Sequence, residues 1–332
     1  MTIVVTAATA AEPQTKFPIS RELASTPEEH ADAQSWDRFV AAGVKSADLR
    51  LRIAFSIDGL QERNGGYFWH EAIPLETLVE QARGSTDPLV LAMLFGRCSA
   101  DEPAKAPPRC DALDFARRWT VADTQNQLAW VTLAGELQRR GDFDAARTTF
   151  IRAAQASLWH EHYDDVARVI ARALPQALTP RERYGGLILA LGTSAARTVS
   201  LVPFRYLRTA CKEPATGAAC GSILETAFRD GETLFVLASS ARLAEAAGLS
   251  DEAVRARTQR SDAMYWALTQ FPFPERAELD DPSVAARAVD QAEHRLALGE
   301  LGWGRFLLQQ SGVTEADAAA RYAASRAIRQ SR

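Results

Sequence analysis

Several features that would narrow the function of this 332-residue chain are scarce or missing. No apolar stretch reaches the roughly 18 residues that a membrane-spanning helix needs, so we expect no transmembrane segment. No run of about five or more like charges occurs and the net charge is only −4, which argues against a nucleic-acid partner and against an acidic tail. Lysine is rare, because only four of the 38 basic residues are Lys, at positions 16, 45, 105 and 212. We attribute the arginine excess to genomic codon bias and not to phosphate binding.

Local catalytic motifs are missing as well. The chain has no P-loop, no GxSxG elbow, no GxGxxG fingerprint and no HExxH pair. Its one local histidine cluster is the run 159–163 (WHEHY), where His160 and His162 stand two positions apart and so do not share a helix face. An extended His-x-His pair can chelate a metal, but a polar loop between two helices is the simpler interpretation. The adjacent Asp164 and Asp165 lack the spacing of a magnesium-binding DDxxD motif. We therefore predict no cofactor, no metal site and no catalytic residue.

The four cysteines form two close pairs along the chain, and each pair brackets a loop rich in Pro, Ala or charge. A disulfide across such a loop would join the facing ends of two antiparallel helices. The local pairing, Cys98 with Cys110 and Cys211 with Cys220, is the most economical of three possibilities. Free buried thiols and a zinc site are the alternatives, although neither pair has the short CxxC spacing that zinc favours. Disulfides would indicate an oxidising compartment.

The N-terminal segment 1–20 has two interpretations. Its first ten residues are small and apolar, and the run Ala8-Thr9-Ala10 fits a small-x-small cleavage site. No basic region precedes them, so the segment is either the remnant of a signal peptide or a disordered tail. Together with the cysteines, it favours a periplasmic or secreted location over a cytoplasmic one.

The rest of the chain, 21–332, reads as a single all-helical domain. Capping boxes at Thr26–Glu29 and Thr179–Glu182 and a start signal at Asp281-Pro282 predict helix N-termini, while sustained strand alternation is absent. We expect all-α structure with about fourteen or fifteen helices. One of them is predicted to begin after Ser46 and to include Ile57. The proline-rich stretch at 270–275 is the strongest candidate for a boundary.

One segment carries a spacing that recurs in a known helical repeat. Its positions are Trp130, Leu133, Leu137, Gly141-Asp142, Ala146, Phe150 and Ala153. This spacing resembles the helix–turn–helix unit of the tetratricopeptide-repeat family. The resemblance covers about 30 residues, and other parts of the chain match only weakly, so it implies an irregular array of antiparallel helical hairpins, a TPR-like α-solenoid. In that family the outward positions of the first helix bind partners, which here are Leu128, Val131, Gly135, Gln138 and Arg139.

A second candidate for recognition is the aromatic run after Asn64-Gly65-Gly66. Tyr67 and Trp69 there are residue types that dominate binding hot spots. The alternative is a connection whose aromatic side chains fold back on the core.

These observations predict a non-enzymatic helical scaffold that binds a protein or peptide partner, in the bacterial periplasm. Two alternatives stay open. One is a helical enzyme with dispersed catalytic residues, which would reveal itself by a pocket that gathers carboxylates or histidines, for instance His70 or His160. The other is an envelope protein that neutralises a toxin.

Overall fold

The computed structural model describes residues 37–63, 66–100, 110–198, 202–270, 274 and 276–330. Fifteen α-helices lie within these ranges, which confirms the all-α prediction. The helices are α1 (37–44), α2 (Leu49–Ala54), α3 (Leu75–Gln81), α4 (Pro88–Ala100), α5 (Ala112–Ala122), α6 (Gln127–Arg139), α7 (Phe143–Ala153), α8 (Tyr163–Arg172), α9 (Pro180–Thr198), α10 (Val202–Ala210), α11 (Gly217–Asp230), α12 (Leu234–Ala246), α13 (Asp251–Gln270), α14 (Pro282–Ser311) and α15 (Glu315–Gln330). Short 3-10 turns cover Pro214–Thr216 and Arg276–Asp280. The N-terminal segment 1–20 and the capping box at Thr26–Glu29 lie outside the described residues.

Side-chain caps set several of the helix starts. Asp111, Asn126, Asp142 and Asp281 each accept a hydrogen bond from a backbone N–H in the first turn of the helix that follows. Between α6 and α7, Gly141 adopts a φ of +83°, a left-handed conformation that suits glycine and lets the chain reverse within three residues. The sequence-predicted turn at Gly141-Asp142 is therefore present.

A small hairpin interrupts the helices. Strands β1 (Ile57–Arg63) and β2 (Gly66–Glu71) pair antiparallel, with Gln61 opposite Phe68 and Arg63 opposite Gly66. The helix predicted after Ser46 accordingly ends at Ala54. Ile57, which was expected in that helix, lies in β1. β1 and β2 are the only strands in the described ranges of the chain.

The helices do not form a regular solenoid. From α4 to α7 each helix packs on the next one in sequence, as in a repeat array, but α6 also packs on α10 and α9 packs on α14. In a regular solenoid each repeat contacts only its neighbours, so these distant contacts give a more closed arrangement. The resemblance of the α6–α7 pair to the tetratricopeptide family stays a prediction.

Two apolar cores result from this packing. The larger one runs from α2 to the first half of α14 and contains fully buried side chains such as Phe95 and Phe150. The smaller one, built around Met264 and Trp303, joins α12, α13, the second half of α14 and α15. Helices α12 and α14 contribute to both cores.

Both predicted disulfides are present. Cys98 at the end of α4 is bonded to Cys110 just before α5, with Cα atoms 5.6 Å apart. Cys211 after α10 is bonded to Cys220 in α11, with Cα atoms 5.3 Å apart. The free-thiol and zinc alternatives for these cysteines are thereby excluded in this structure. Among the described helices, none is both long and apolar enough to cross a membrane.

Candidate functional site

A dense group of titratable side chains lies where three inter-helix connections meet. We call it the acid–histidine cluster and define it as Asp123, His160, His162, Asp165 and Glu232. Asp123 follows α5, the two histidines precede α8, Asp165 is in the first turn of α8, and Glu232 lies between α11 and α12. The site therefore joins residues more than a hundred positions apart in sequence, which local motifs cannot reveal.

His162 is the buried centre of this cluster, with only 5% of its surface exposed. Its Nδ1 lies 3.0 Å from Asp165 Oδ2, a hydrogen-bond distance. Its Nε2 lies 3.5 Å from Asp123 Oδ2, makes no hydrogen bond and is shielded from solvent. His162 is also the only non-glycine residue with positive φ (+58°) in the described part of the chain. Such a conformation carries strain and persists only where the surrounding structure enforces it.

His160 forms the half-exposed side of the same cluster. Its Nε2 lies 3.2 Å from both Asp165 Oδ2 and Glu232 Oε1. Its ring centroid is 4.1 Å from that of His162. One carboxylate oxygen of Asp165 is therefore shared between the two histidines.

Asn126 fixes the segment that carries the histidines. This fully buried side chain accepts a hydrogen bond from the backbone N–H of His160 and donates one to the carbonyl of His160, at 3.1 and 2.8 Å. It also donates to Asp123 Oδ2 at 2.8 Å and caps α6. One side chain thus connects the end of α5, the start of α6 and the approach to α8.

The charges in the cluster stabilise one another. Burial opposes the protonated form of His160, but hydrogen bonds to Asp165 and Glu232 outweigh this and raise its pKa to about 10. Hydrogen bonds from His160 and His162 lower the pKa of Asp165 far below its usual range. Burial raises the pKa of Asp123, yet the neighbouring His162 and a hydrogen bond from Asn126 leave it below the ordinary value.

A second group of carboxyl groups lies behind the cluster and is more deeply buried. Burial, reinforced by the charge of Glu232, raises the pKa of Glu161 to about 8 and that of Asp164 to about 7. Burial also raises the pKa of Glu300. Glu161 accepts hydrogen bonds from the Glu232 backbone N–H and the Thr233 hydroxyl, so the network extends to the start of α12.

Three members of the cluster have the arrangement of metal ligands. Asp123, His160 and His162 each offer one ligand atom, and these atoms all lie within 4.8 Å of one another. Imidazole nitrogens with a carboxylate oxygen are a usual ligand set for zinc and related ions. The run 159–162 is an irregular connection before α8, as the sequence predicts for a polar loop, and the fold brings Asp123 to it.

The sequence-predicted partner surface on α6 is largely internal. Leu128 and Val131 are 6% and 0% exposed, and Gly135 is buried. The reason is that α6 is enclosed by α5, α7 and α10, whereas the first helix of a repeat unit usually faces an open groove. These three residues are therefore not exposed to a partner as the helices are arranged here, and their role in binding stays a prediction.

The remaining predicted contacts lie at the end of α6 and in the hairpin. Gln138 is half-buried and Arg139 is exposed. Arg139 forms a bidentate ion pair with the buried Glu136, with distances of 2.5 and 2.8 Å. Tyr67 and Trp69 are in β2, but their side chains and that of His70 lie outside the described part of the structure.

An exposed apolar surface appears instead on α7, at residues outside the repeat-like spacing. Phe143 and Ile151 are 63% and 43% exposed, and Arg147 lies between them. A spacing of four and eight residues places all three on one side of the helix. We call this set the α7 outer face.

Comparison of the chain with protein families, with curated proteins and with solved structures finds no match to any of them.

Proposed function

We propose that this protein is an exported helical scaffold that binds a protein or peptide partner through the α7 outer face. The observation that carries the proposal is the pair of large apolar side chains, Phe143 and Ile151, left open to solvent on one side of α7. Burying exposed apolar and aromatic area is a main source of affinity in protein interfaces, with an arginine such as Arg147 a frequent companion. The end of α6, with Gln138 and Arg139, adjoins this face through the turn at Gly141.

The disulfides support the export part of this proposal. All four cysteines are paired, and such bonds persist mainly in oxidising compartments. We infer a bacterial periplasm or the extracellular space. A toxin-neutralising protein of the envelope would use the same binding mode, with one tight cognate partner.

Crosslinking and affinity capture in the native compartment test the proposal. The test variant combines Phe143→Asp with Ile151→Asp, which removes the apolar area without touching a buried side chain. Val121→Asp is the matched control, since Val121 is 78% exposed and belongs to a different helix, α5. We expect a partner captured by the wild type and by the control to be lost with the double variant. Equal capture by all three proteins would refute the α7 outer face as the binding surface.

Catalysis is the second candidate, because the structure gathers histidines and carboxyl groups around His160. Glu161, whose pKa is raised to about 8, also lines a small cavity with Phe95, Trp119 and Phe235. A protonated carboxyl group beside an apolar cavity can serve as a general acid. Turnover of an ester, glycoside or phosphate substrate that disappears in Glu161→Gln would favour this candidate over the scaffold.

A further inference from the structure

The acid–histidine cluster contains a feature that an ordinary ion-pair network does not require. His162 is buried, and its Nε2 is directed toward Asp123 with no hydrogen-bond partner. The separation of 3.5 Å exceeds the roughly 2.7–3.2 Å of a normal N–H···O hydrogen bond. Buried polar atoms are almost always satisfied, so an unpartnered imidazole nitrogen needs a physical explanation.

A metal ion between the two side chains supplies that explanation. We infer that Asp123, His160 and His162 form a binding site for a first-row divalent transition-metal ion, with Zn²⁺ as its representative. The three ligand atoms lie within 4.8 Å of one another, close enough to converge on one ion with small side-chain adjustments. Bonds from zinc to nitrogen or oxygen are about 2.0–2.2 Å, which places ligand atoms of one site a little over 3 Å apart.

The surroundings match those of known metal-binding histidines. Such a histidine commonly directs its second ring nitrogen to a carboxylate, which fixes the ring and strengthens the ligand. Asp165 holds this position for His162, with Oδ2 3.0 Å from Nδ1. Asn126 in turn holds the carboxylate of Asp123 through a 2.8 Å hydrogen bond. Both partners orient the ligands and contribute no bond to the metal themselves.

The ligand types select the class of ion. Two imidazoles with one carboxylate favour Zn²⁺, Ni²⁺ or Cu²⁺ over Mg²⁺ and Ca²⁺, which prefer oxygen ligands alone. Three protein ligands leave a fourth position for water or an external group. His160 is only partly buried, so an ion can reach the three ligands from its side.

The strained backbone at His162 is consistent with a built site. His160 and His162 are alternate residues of the connection, which in an extended segment point to the same side, and their ring centroids lie 4.1 Å apart. The φ of +58° at His162 then turns the chain into α8. The residue with the strained backbone is thus itself one of the proposed ligands, and strained residues cluster at functional sites.

Metal titration of the full-length, oxidised protein tests the site. Because all four cysteines are in disulfides, thiolates do not compete for the ion. After removal of bound metal with a chelator, we expect calorimetry with ZnCl₂ to give about one Zn²⁺ per chain. Co²⁺ should give the visible absorption bands of a tetrahedral site, a signal that loosely bound surface ions do not produce.

Matched variants separate the site from other carboxylates and histidines. His160→Asn and Asp123→Asn each remove a ligand, and we expect each to weaken Zn²⁺ binding more than 100-fold. Asp165→Asn removes the carboxylate behind His162 and should weaken it about 10–100-fold. The controls are His294→Asn and Asp144→Asn, at exposed positions on α14 and α7, and they should bind as the wild type does.

The outcomes are distinct even if a variant folds poorly, because near-ultraviolet circular dichroism reports the fold independently. Folded His160→Asn or Asp123→Asn protein that binds Zn²⁺ as tightly as the wild type would overturn the inference. So would wild-type protein that binds no Zn²⁺, or one that gives no tetrahedral Co²⁺ spectrum. None of these results bears on the α7 outer face, so the two proposals fail separately.

Discussion

The carboxylate of Asp164 lies directly against Gly299, at the point where α14 kinks. Gly299 has φ +74° and ψ 173°, a combination that is essentially restricted to glycine. A Cβ atom at this position would overlap Asp164 Oδ2. Helix α14 therefore bends to make room for a buried acid on α8, and the two elements are matched in shape at this contact.

Replacing this glycine should be costly. We expect Gly299→Ala to reduce the free energy of unfolding by about 1–3 kcal/mol from the backbone conformation alone, with the clash against Asp164 adding to it. Gly221→Ala is the control, because Gly221 lies in α11 with no atom within 4 Å of a new Cβ, and there alanine should be neutral or stabilising. Urea unfolding measures both, and equal stability of the two variants would contradict this account of the kink.

The buried Glu161 should make the protein less stable as the pH rises. Its pKa is raised from the ordinary 4.5 to about 8, so between these values the unfolded chain has released a proton that the folded chain keeps. The free energy of unfolding should therefore fall over this range, by an amount on the order of a few kcal/mol. The contribution of protonated Glu161 to the free energy of unfolding is fully present below pH about 4.5 and is lost above pH about 8.

Glu161→Gln tests this because glutamine resembles the protonated acid and does not ionise. We expect it to reduce the loss of stability between pH about 5 and about 8.5, measured by urea unfolding at both values. Glu252→Gln, at an exposed position on α13, is the control and should leave the pH dependence unchanged. An undiminished pH dependence in Glu161→Gln would show that other groups, such as Asp164, cause it.

Replacing Asn126 should reduce the free energy of unfolding more than replacing an ordinary helix cap does. Loss of a cap costs about 1 kcal/mol, but Asn126→Ala also leaves the buried backbone groups of His160 without partners, at about 1–3 kcal/mol for each unsatisfied group. For one cap and two unsatisfied groups we therefore expect a total loss of about 3–7 kcal/mol. Asp142→Ala, which removes the exposed cap of α7, serves for comparison and should cost about 1 kcal/mol. Similar losses in the two variants would mean that the contacts to His160 add nothing.

Intact-mass measurements and urea unfolding should both reveal the two disulfides. Intact mass after alkylation should show four modified thiols only when the protein is first reduced. Closing loops of 12 and 9 residues contributes roughly 2–3 kcal/mol each in the chain-entropy model, so Cys211→Ser with Cys220→Ser should lower the urea midpoint by a corresponding amount. Four thiols that react without reduction would remove the argument for export.

Helix positions were predictable because local signals set them. The capping residues Thr179 and Asp281 mark the starts of α9 and α14, and Gly141 marks the turn before α7. The disulfide pairs were predictable for a similar reason, since each closes a loop between consecutive helices. The hairpin at 57–71 was missed because its strands show no clean alternation of apolar and polar residues.

Burial and the site depended on contacts between distant segments. Val131 is internal because α10, some seventy residues further along the chain, covers α6. His162 becomes a candidate ligand only because the end of α5 places Asp123 beside it. Neither relationship has a local sequence signal, so a single sequence gave no basis for either. The run 159–165, with two histidines and three acids in seven residues, was the one available indication.

Both covalent links lie in the larger core, and the smaller core around Met264 and Trp303 has none. Non-covalent contacts hold α13 and α15 in place, namely apolar packing and ion pairs such as that of Arg326 with Asp262. A reducing agent would therefore weaken one end of the molecule and leave the other end as it was. In an oxidising environment the disulfides strengthen the larger core, so we expect a protease to attack the C-terminal helices first.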